Sequence, residues 1–367
     1  MREPIRVIVI DDSAFMRKSL SMLLESDPEI KVIATARDGQ EGIEKIRSYR
    51  PDLVTLDVEM PRMDGLTALR VIMKEIPLPV LMVSSLTTEG AQATLDALNL
   101  GAVDFIPKQL SYVSLDIIKI KEELIHKVKT IVRSRSLRHR LARWRTKSGF
   151  SDDTPVQHSL ENQAMALSRV AKPAVPLRLT AIGVSTGGPP ALQQIIPKIP
   201  ADYPTGIAIV QHMPPKFTRS LAERLDGLSS IHVKEAEEGD VLKPGVALIA
   251  PGGFHLTFFK NGYELVAKIS EQPAYALYRP SVDVMMSSIA AVYSGGVLGV
   301  ILTGMGKDGL EGLQRIKRNG GYVIAQDEES CVVYGMPKAA VDAGIADAVL
   351  PLERIPEAMV QVVMNKT

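Results

Sequence analysis

Ser185 stands in the run Ile182-Gly183-Val184-Ser185-Thr186-Gly187-Gly188-Pro189, a serine on a glycine-rich turn between an apolar stretch and helix-compatible sequence. Gly183, Ser185 and Gly187 satisfy the G-x-S-x-G pattern, in which small flanking residues permit a sharp strand-to-helix turn. The free N–H groups of a helix start next to such a serine suit a developing oxyanion. Taken alone, the same turn serves equally to cradle the phosphate of a dinucleotide. Two other residues separate the readings. His212 follows the apolar run 207–210 and precedes Met213-Pro214-Pro215, and Asp308 lies in Leu302-Thr303-Gly304-Met305-Gly306-Lys307-Asp308-Gly309 after another apolar run. A serine hydroxyl is a poor nucleophile near neutral pH, so it needs a base to take its proton and an acid to fix that base's tautomer. Ser185, His212 and Asp308 supply those three groups from three strand ends.

Losing one oxyanion donor typically costs about 3 kcal/mol of transition-state stabilisation, which assigns a role to the glycine-rich turns around Ser185 and Met305. The order Ser, His, Asp excludes the α/β-hydrolase superfamily, where the acid precedes the histidine. His255, in Pro251-Gly252-Gly253-Phe254-His255, reads as structural or substrate-orienting rather than as the base. His126, His139 and His158 fall in a linker and read as solvated. In Arg279-Pro280-Ser281-Val282-Asp283, Ser281 reads as a helix cap and Asp283 as a weaker alternative for the third triad member.

A second constellation is acidic. Asp11 and Asp12 follow the first apolar run of the chain and Asp57 follows the third, so a doubly wound sheet would gather all three at its carboxyl edge. Three carboxylates in one crevice repel and raise one another's pKa. Their co-location calls for a hard divalent cation, and the sparse oxygen-only set favours Mg2+. An aspartate beside such a cation can attack a phosphoryl group, and Ser84 and Lys108, at the ends of the fourth and fifth runs, stand where the new oxygens need a hydroxyl and a positive charge. A single strand-end aspartate is as often a solvated loop acid; the full set is what carries the reading.

The elements that must position these residues alternate in type. Residues 7–10, 32–36, 53–56, 80–83 and 105–106 read as strands separated by amphipathic helices, which predicts a five-stranded parallel sheet covered on both faces. Strands at 180–184, 207–210, 246–249, 297–302 and 322–325, with helices at 190–196, 218–225, 282–293, 310–318 and 337–343, predict a second α/β domain that is mostly parallel. Between residues 233 and 270 strand-like runs follow one another without helices, which predicts an antiparallel excursion. Between the domains, 115–145 keeps helical spacing but turns basic, with Lys127, Lys129, Arg133, Arg135, Arg138, Arg140, Arg143, Arg145 and Lys147 unopposed by acids. Residues 148–176 then lose apolar periodicity, as a linker does. The expected division is a domain at 1–122, a basic helix and flexible linker at 123–176, and a hydrolytic domain at 177–367.

Composition narrows the class. With 367 residues, 46% of them apolar, two packed cores are available, and a net charge of +1 gives no global pull towards nucleic acid or membrane. The single Cys331 excludes an internal disulfide and a cysteine zinc cluster. No apolar stretch approaches bilayer length, so the expectation is a cytoplasmic protein without membrane insertion.

The acid pair, strand-end Asp57, Ser84 and Lys108 resemble the receiver domains of two-component response regulators. That resemblance implies Asp57 as phosphoacceptor, Asp11 and Asp12 as Mg2+ ligands with the main-chain carbonyl of Glu59, and Ser84 and Lys108 as phosphate sensors. One departure is visible: the family usually follows this lysine with proline, whereas here Pro107 precedes Lys108 and Gln109 follows. Joined to Gly183–Gly188, Gln211-His212-Met213-Pro214, Tyr278–Asp283 and Leu302–Gly309, the receiver makes the chain resemble the chemotaxis protein-glutamate methylesterases, the CheB family. The resemblance implies Ser185 as nucleophile, His212 as base, Asp308 as its partner, Met305 N–H as oxyanion donor, and Thr186 and His255 lining the site. It further implies phosphorylation-activated hydrolysis of glutamate methyl esters on chemoreceptors, deamidation of particular glutamines, a histidine kinase as phosphodonor, and no cofactor for the hydrolytic step. No nucleic-acid partner is expected of the basic stretch, since no recognition motif accompanies it.

Overall fold

The computed structural model describes residues 3–108, 116–137, 141, 173–293 and 295–364. The chain divides into two compact units, Met1–Asp152 and Asp153–Thr367. The expectations for His139, His158, the arginines beyond residue 137 and most of the linker lie outside the described residues. Among the described residues no helix is long and apolar enough to cross a membrane.

In the first unit β1 (Ile5–Ile10), β2 (Ile30–Ala36), β3 (Leu53–Asp57), β4 (Val80–Ser84) and β5 (Asp104–Pro107) form a sheet in the order β2-β1-β3-β4-β5. All four pairings are parallel. Strands β3 and β4 are buried along their whole length, as strands sandwiched between helix layers must be. The crossovers are α1 (Ala14–Glu25), α2 (Gly39–Tyr49), α3 (Gly65–Glu75) and α4 (Thr88–Asn99). Each begins on a side chain that accepts from the first turn, respectively Ser13, Asp38, Asp64 and Thr87. Such caps satisfy backbone donors that would otherwise be orphaned, and so fix where each loop at the sheet's carboxyl edge ends.

Helix α5 (Asp116–Arg133) runs straight through the boundary expected at 122. Three of its cations have acid partners after all. Lys127 pairs with Asp104 at 3.2 Å and Glu123 at 3.0 Å, Lys129 with Asp27 at 2.9 Å and with Glu29, and Arg133 with Glu29 at 2.6 Å. Most of these acids are remote in sequence, which is why the local charge count missed them. That part of the basic stretch is the fifth helix of the first unit, with Leu124, Val128 and Ile131 buried.

The second unit holds a seven-stranded sheet in the order β14-β13-β12-β6-β7-β9-β8. Its strands are β6 (Leu179–Val184), β7 (Gly206–Gln211), β8 (His232–Glu235), β9 (Val246–Ile249), β12 (Val297–Ile301), β13 (Tyr322–Gln326) and β14 (Ala348–Leu350), all paired in parallel. The antiparallel excursion is narrower than expected. Strands β8 and β9 join the parallel sheet, β10 (His255–Asn261) and β11 (Glu264–Ser270) pair antiparallel as a separate hairpin, and Val241 in the loop after β8 adds one antiparallel bridge to Val266 of β11. The missing helix between β8 and β9 misled the sequence reading; a loop crosses over instead. The helices are α6 (Gly188–Ile195), α7 (Phe217–Asp226), α8 (Val282–Val292), α9 (Leu310–Arg318), α10 (Met336–Asp342) and α11 (Ile355–Met364).

Strand order places the chemistry. From β6 the chain moves to β7 on one side and later to β12 on the other, so the carboxyl ends of β6, β7 and β12 flank a switch point where a doubly wound sheet opens a crevice. In the first unit β1 and β3 border the equivalent opening.

Candidate active site

Ser185 leaves β6 on a turn held at several points. Its N–H donates to the Thr303 carbonyl at 3.0 Å, and its carbonyl accepts from Gly188 N–H at 2.8 Å. Gly187 adopts φ +77°, and a Cβ there would lie 2.4 Å from Val332 Cγ2, so both conformation and space require glycine. Gln211, buried at the end of β7, donates its amide to the carbonyls of Ser185 at 3.0 Å and His212 at 3.1 Å. That single amide ties the Ser185 turn to the strand that carries His212. His212 N–H also donates to the Val184 carbonyl at 3.2 Å, continuing the β6–β7 ladder into the site.

His212 Nε2 donates to Asp308 Oδ2 at 2.7 Å. The acceptor is a carboxylate that leaves Nε2 with the proton and Nδ1 with its lone pair. Nδ1 is buried and makes no hydrogen bond, so it is the nitrogen available to take a serine proton. Asp308 is held from behind by the start of α8: Ser281 Oγ donates to Oδ1 at 2.9 Å, Val282 N–H to Oδ2 at 2.7 Å and Asp283 N–H to Oδ1 at 3.0 Å. Burial opposes its charge, yet the hydrogen bond and charge of His212 and these backbone donors hold its carboxyl down at about 2. A carboxylate at a helix N-terminus also faces the favourable end of the helix dipole.

Asp283 is therefore not the histidine's partner. Its Oδ1 accepts from Gly312 N–H at 2.8 Å. Burial, with the charge of neighbouring Asp308, pushes its carboxyl up to about 6. Ser281 does cap α8, accepting from Val284 N–H at 3.3 Å.

Met305 is buried in the turn between Gly304 and Gly306. Gly304 abuts Ser185: a Cβ there would lie 2.8 Å from Ser185 Cβ and 2.3 Å from Met336 Sδ. Thr303 secures this turn by donating its hydroxyl to the Thr186 carbonyl at 2.9 Å while accepting from Val332 and Val333 N–H, both at 3.1 Å. Thr186 is buried on the serine's turn. His255, at the start of β10, is wholly enclosed by protein rather than set on an open wall, and burial first and Arg279 second keep its imidazole below the ordinary value. Sequence reasoning did not single out Gln211, Thr303 or Tyr278; of the three only Gln211, next to His212, carried a local signal.

The first unit gathers its predicted acids. Single ligand atoms of Asp11, Asp12 and Asp57 lie within 4.8 Å of one another. Lys108 Nζ donates to Asp57 Oδ2 at 2.6 Å and lies 3.3 Å from Asp11 Oδ2. Burial raises the carboxyls of Asp11 and Asp57, the latter to about 6, with Asp11 adding to the effect on Asp57. Burial also works against the charge of Lys108, but Asp57 and Asp11 outweigh it and raise its pKa. Asp11 Oδ2 is buried with the Lys108 ammonium 3.3 Å away, and the three carboxylates make an oxygen-only set that fits a hard cation. Glu59 N–H points to Asp57 Oδ1 at 3.4 Å, and Ser84 Oγ donates to the Gly90 carbonyl at 3.1 Å.

Comparison with known proteins gives concordant matches. Residues 180–359 match the CheB methylesterase family and residues 7–117 the response regulator receiver domain. The chain is 54% identical over 98% of its length to a protein of Oleidesulfovibrio alaskensis named protein-glutamate methylesterase/protein-glutamine glutaminase 1, 99% of which is covered. It is 48% identical over 98% of its length to a Pyrococcus abyssi protein named protein-glutamate methylesterase/protein-glutamine glutaminase, 94% of which is covered. The crystal structure of the Thermotoga maritima CheB methylesterase catalytic domain aligns with a TM-score of 0.50 at 46% identity, covering 52% of this chain and 100% of that one. A receiver followed by this catalytic fold, with similarity extending over nearly the full length, shows that the chain belongs to the CheB protein-glutamate methylesterase/protein-glutamine glutaminase family.

Proposed function

We propose that the protein hydrolyses glutamate methyl esters on methyl-accepting chemoreceptors through Ser185, His212 and Asp308, under control of phosphorylation at Asp57. The observation that carries the reading is the 2.7 Å bond from His212 Nε2 to Asp308, which leaves buried Nδ1 unbonded at the strand end beside Ser185.

In the forward step Ser185 Oγ attacks the ester carbonyl carbon and its proton passes to His212 Nδ1. Asp308 stabilises the imidazolium, and the main-chain N–H of Met305 donates to the oxyanion. Collapse breaks the bond to the methoxy oxygen, which takes the proton from Nδ1 and leaves as methanol. Water then repeats the sequence on the acyl-serine, releasing a glutamate carboxylate and restoring the hydroxyl. A glutamine amide enters the same path and releases ammonia. Thr186 lines the substrate's approach and His255 supports it from within.

In the first unit Asp11, Asp12, Asp57 and the Glu59 carbonyl would hold Mg2+, which would neutralise the phosphoryl oxygens. Asp57 accepts the phosphoryl group from a histidine kinase, Lys108 pairs with the new charge, and Ser84 turns its hydroxyl from Gly90 to a phosphate oxygen. The phosphorylated state is the active one, in the cytoplasm where kinase and receptor signalling segments meet. Hydrolysis itself uses no cofactor.

The test is methanol release from methylated receptor membranes. Wild type releases methanol, Ser185→Ala does not, and a small-molecule phosphodonor with Mg2+ stimulates wild type but not Asp57→Asn. No release by folded, phosphorylated wild type sinks the chemoreceptor assignment.

A further inference from the structure

The segment Tyr278–Asp283 wraps the catalytic pair, yet only its last three residues have a role so far, all on Asp308. Tyr278 covers the other partner. Its ring lies on the His212 imidazole with centroids 4.2 Å apart and planes 13° from parallel. A Cβ placed on Gly306, next to Met305, would sit 3.5 Å from the Tyr278 hydroxyl oxygen. The tyrosine therefore extends from the base to the turn of the oxyanion donor.

We propose that Tyr278 is a positioning residue that fixes the plane of the His212 imidazole, so that one ring delivers Nε2 to Asp308 and Nδ1 to Ser185. An imidazole held only through Nε2 can pivot about that bond. Rotation would carry Nδ1 away from the serine without breaking the contact to Asp308. A parallel aromatic face removes that freedom, because tilting the ring against it forfeits the stacked contact. The same face attracts a cation, so it favours the imidazolium formed as Ser185 attacks. Asp308 sits on Nε2, Asp283 lies next to Asp308, and His255 and Arg279 act on each other nearby. Tyr278 is the group whose flat face meets the ring.

This inference rests on the serine mechanism proposed above, and the test separates the two. The probe is a serine-directed fluorophosphonate, followed by its limiting labelling rate and its half-saturating concentration across pH on the full chain. Labelling of wild type that is lost in Ser185→Ala establishes the mechanism; absence of wild-type labelling overturns both. With labelling in hand, Tyr278→Leu slows the limiting rate at least tenfold, leaves the half-saturating concentration within about twofold, and moves the acid limb of the profile to lower pH. Tyr278→Phe, which keeps the stacked face, recovers most of the rate and the wild-type profile. A merely structural role would lower the melting temperature without moving the acid limb. A Tyr278→Leu protein with wild-type rate and profile, or a Tyr278→Phe protein as slow as Tyr278→Leu, overturns the proposal. Where Tyr278→Leu does not fold, Tyr278→Met replaces it with the same outcomes expected.

Discussion

The hydroxyl of Ser281 donates to Asp308 Oδ1 at 2.9 Å and accepts from Val284 N–H at 3.3 Å, so one side chain both holds the carboxylate that meets His212 and caps α8. Ser281→Ala removes both bonds. Loss of a cap costs about 1 kcal/mol, and loss of a hydrogen bond to a charged group about 1.5–3 kcal/mol. Urea denaturation should show a loss in that combined range. Ester hydrolysis should fall by about tenfold as Asp308 loosens; unchanged stability and rate would show that backbone donors alone suffice.

Asp283 gives a pH signature. Its carboxyl is pushed up to about 6 from an unfolded value near 3.8, so between those values the folded chain binds more protons than the unfolded one. Stability from this group is fully present below the unfolded value and is lost as pH rises through about 6. Asp308 has the opposite sign: held at about 2, it contributes stability above 3.8 that is lost as pH falls towards 2. Asp283→Asn should remove the first slope only. Melting temperatures of wild type minus variant should decline from pH 4 to pH 6.5; a flat difference would contradict the shift.

Gly304 has no room for a methyl group between Ser185 and Met336. Gly304→Ala should cost about 1–3 kcal/mol through overpacking and more than a hundredfold in rate, because the nucleophile and the adjacent oxyanion turn are both displaced. Adding Met336→Ala relieves the sulfur contact at 2.3 Å but not the one to Ser185 Cβ at 2.8 Å. Stability should partly return in the double variant while activity does not.

Much of this was legible in the sequence because strands and their terminal residues are local. Ser185, His212, Asp11 and Asp57 each adjoin an apolar run that forms a strand, so their gathering at a sheet edge follows from parallel topology. What was not legible depends on partners far along the chain. Lys129 meets Asp27 from 102 residues away, and no local charge count could reveal it. Gln211 and Thr303 looked like ordinary polar residues until the sheet order brought Ser185 and Val333 to them. The sequence already favoured Asp308 over Asp283, but both stand near a helix start, and the geometry is what shows the Asp308 carboxylate meeting the imidazole.

The acidic pocket should respond to cation and charge in opposite ways. Asp11 and Asp57 are buried together with raised pKa values, so Asp11→Asn should stabilise the chain when Mg2+ is absent. Mg2+ at 100 times its Kd should stabilise wild type by about 2.7 kcal/mol, and the Asn variant much less at the same concentration. Thermal melts with EDTA and with Mg2+ read both effects. An Asp11→Asn chain that is less stable in EDTA and equally responsive to Mg2+ would refute the pocket's assignment.

Lys127 anchors α5 to β5. Its ammonium donates to the Phe105 carbonyl at 2.7 Å and pairs with Asp104 and Glu123, and its side chain is only 13% exposed. Burial works against its charge, yet Asp104 and Glu123 more than reverse this and raise its pKa. Removing one partner of a buried pair leaves the other uncompensated, a loss of about 3–5 kcal/mol. Lys127→Met should therefore destabilise the first unit strongly, and Asp104→Asn added to it should restore part of the loss, because the stranded charge is gone. Chemical denaturation of wild type, Lys127→Met, Asp104→Asn and the double variant measures that coupling, and strictly additive losses would mean that Asp104 and Lys127 act separately.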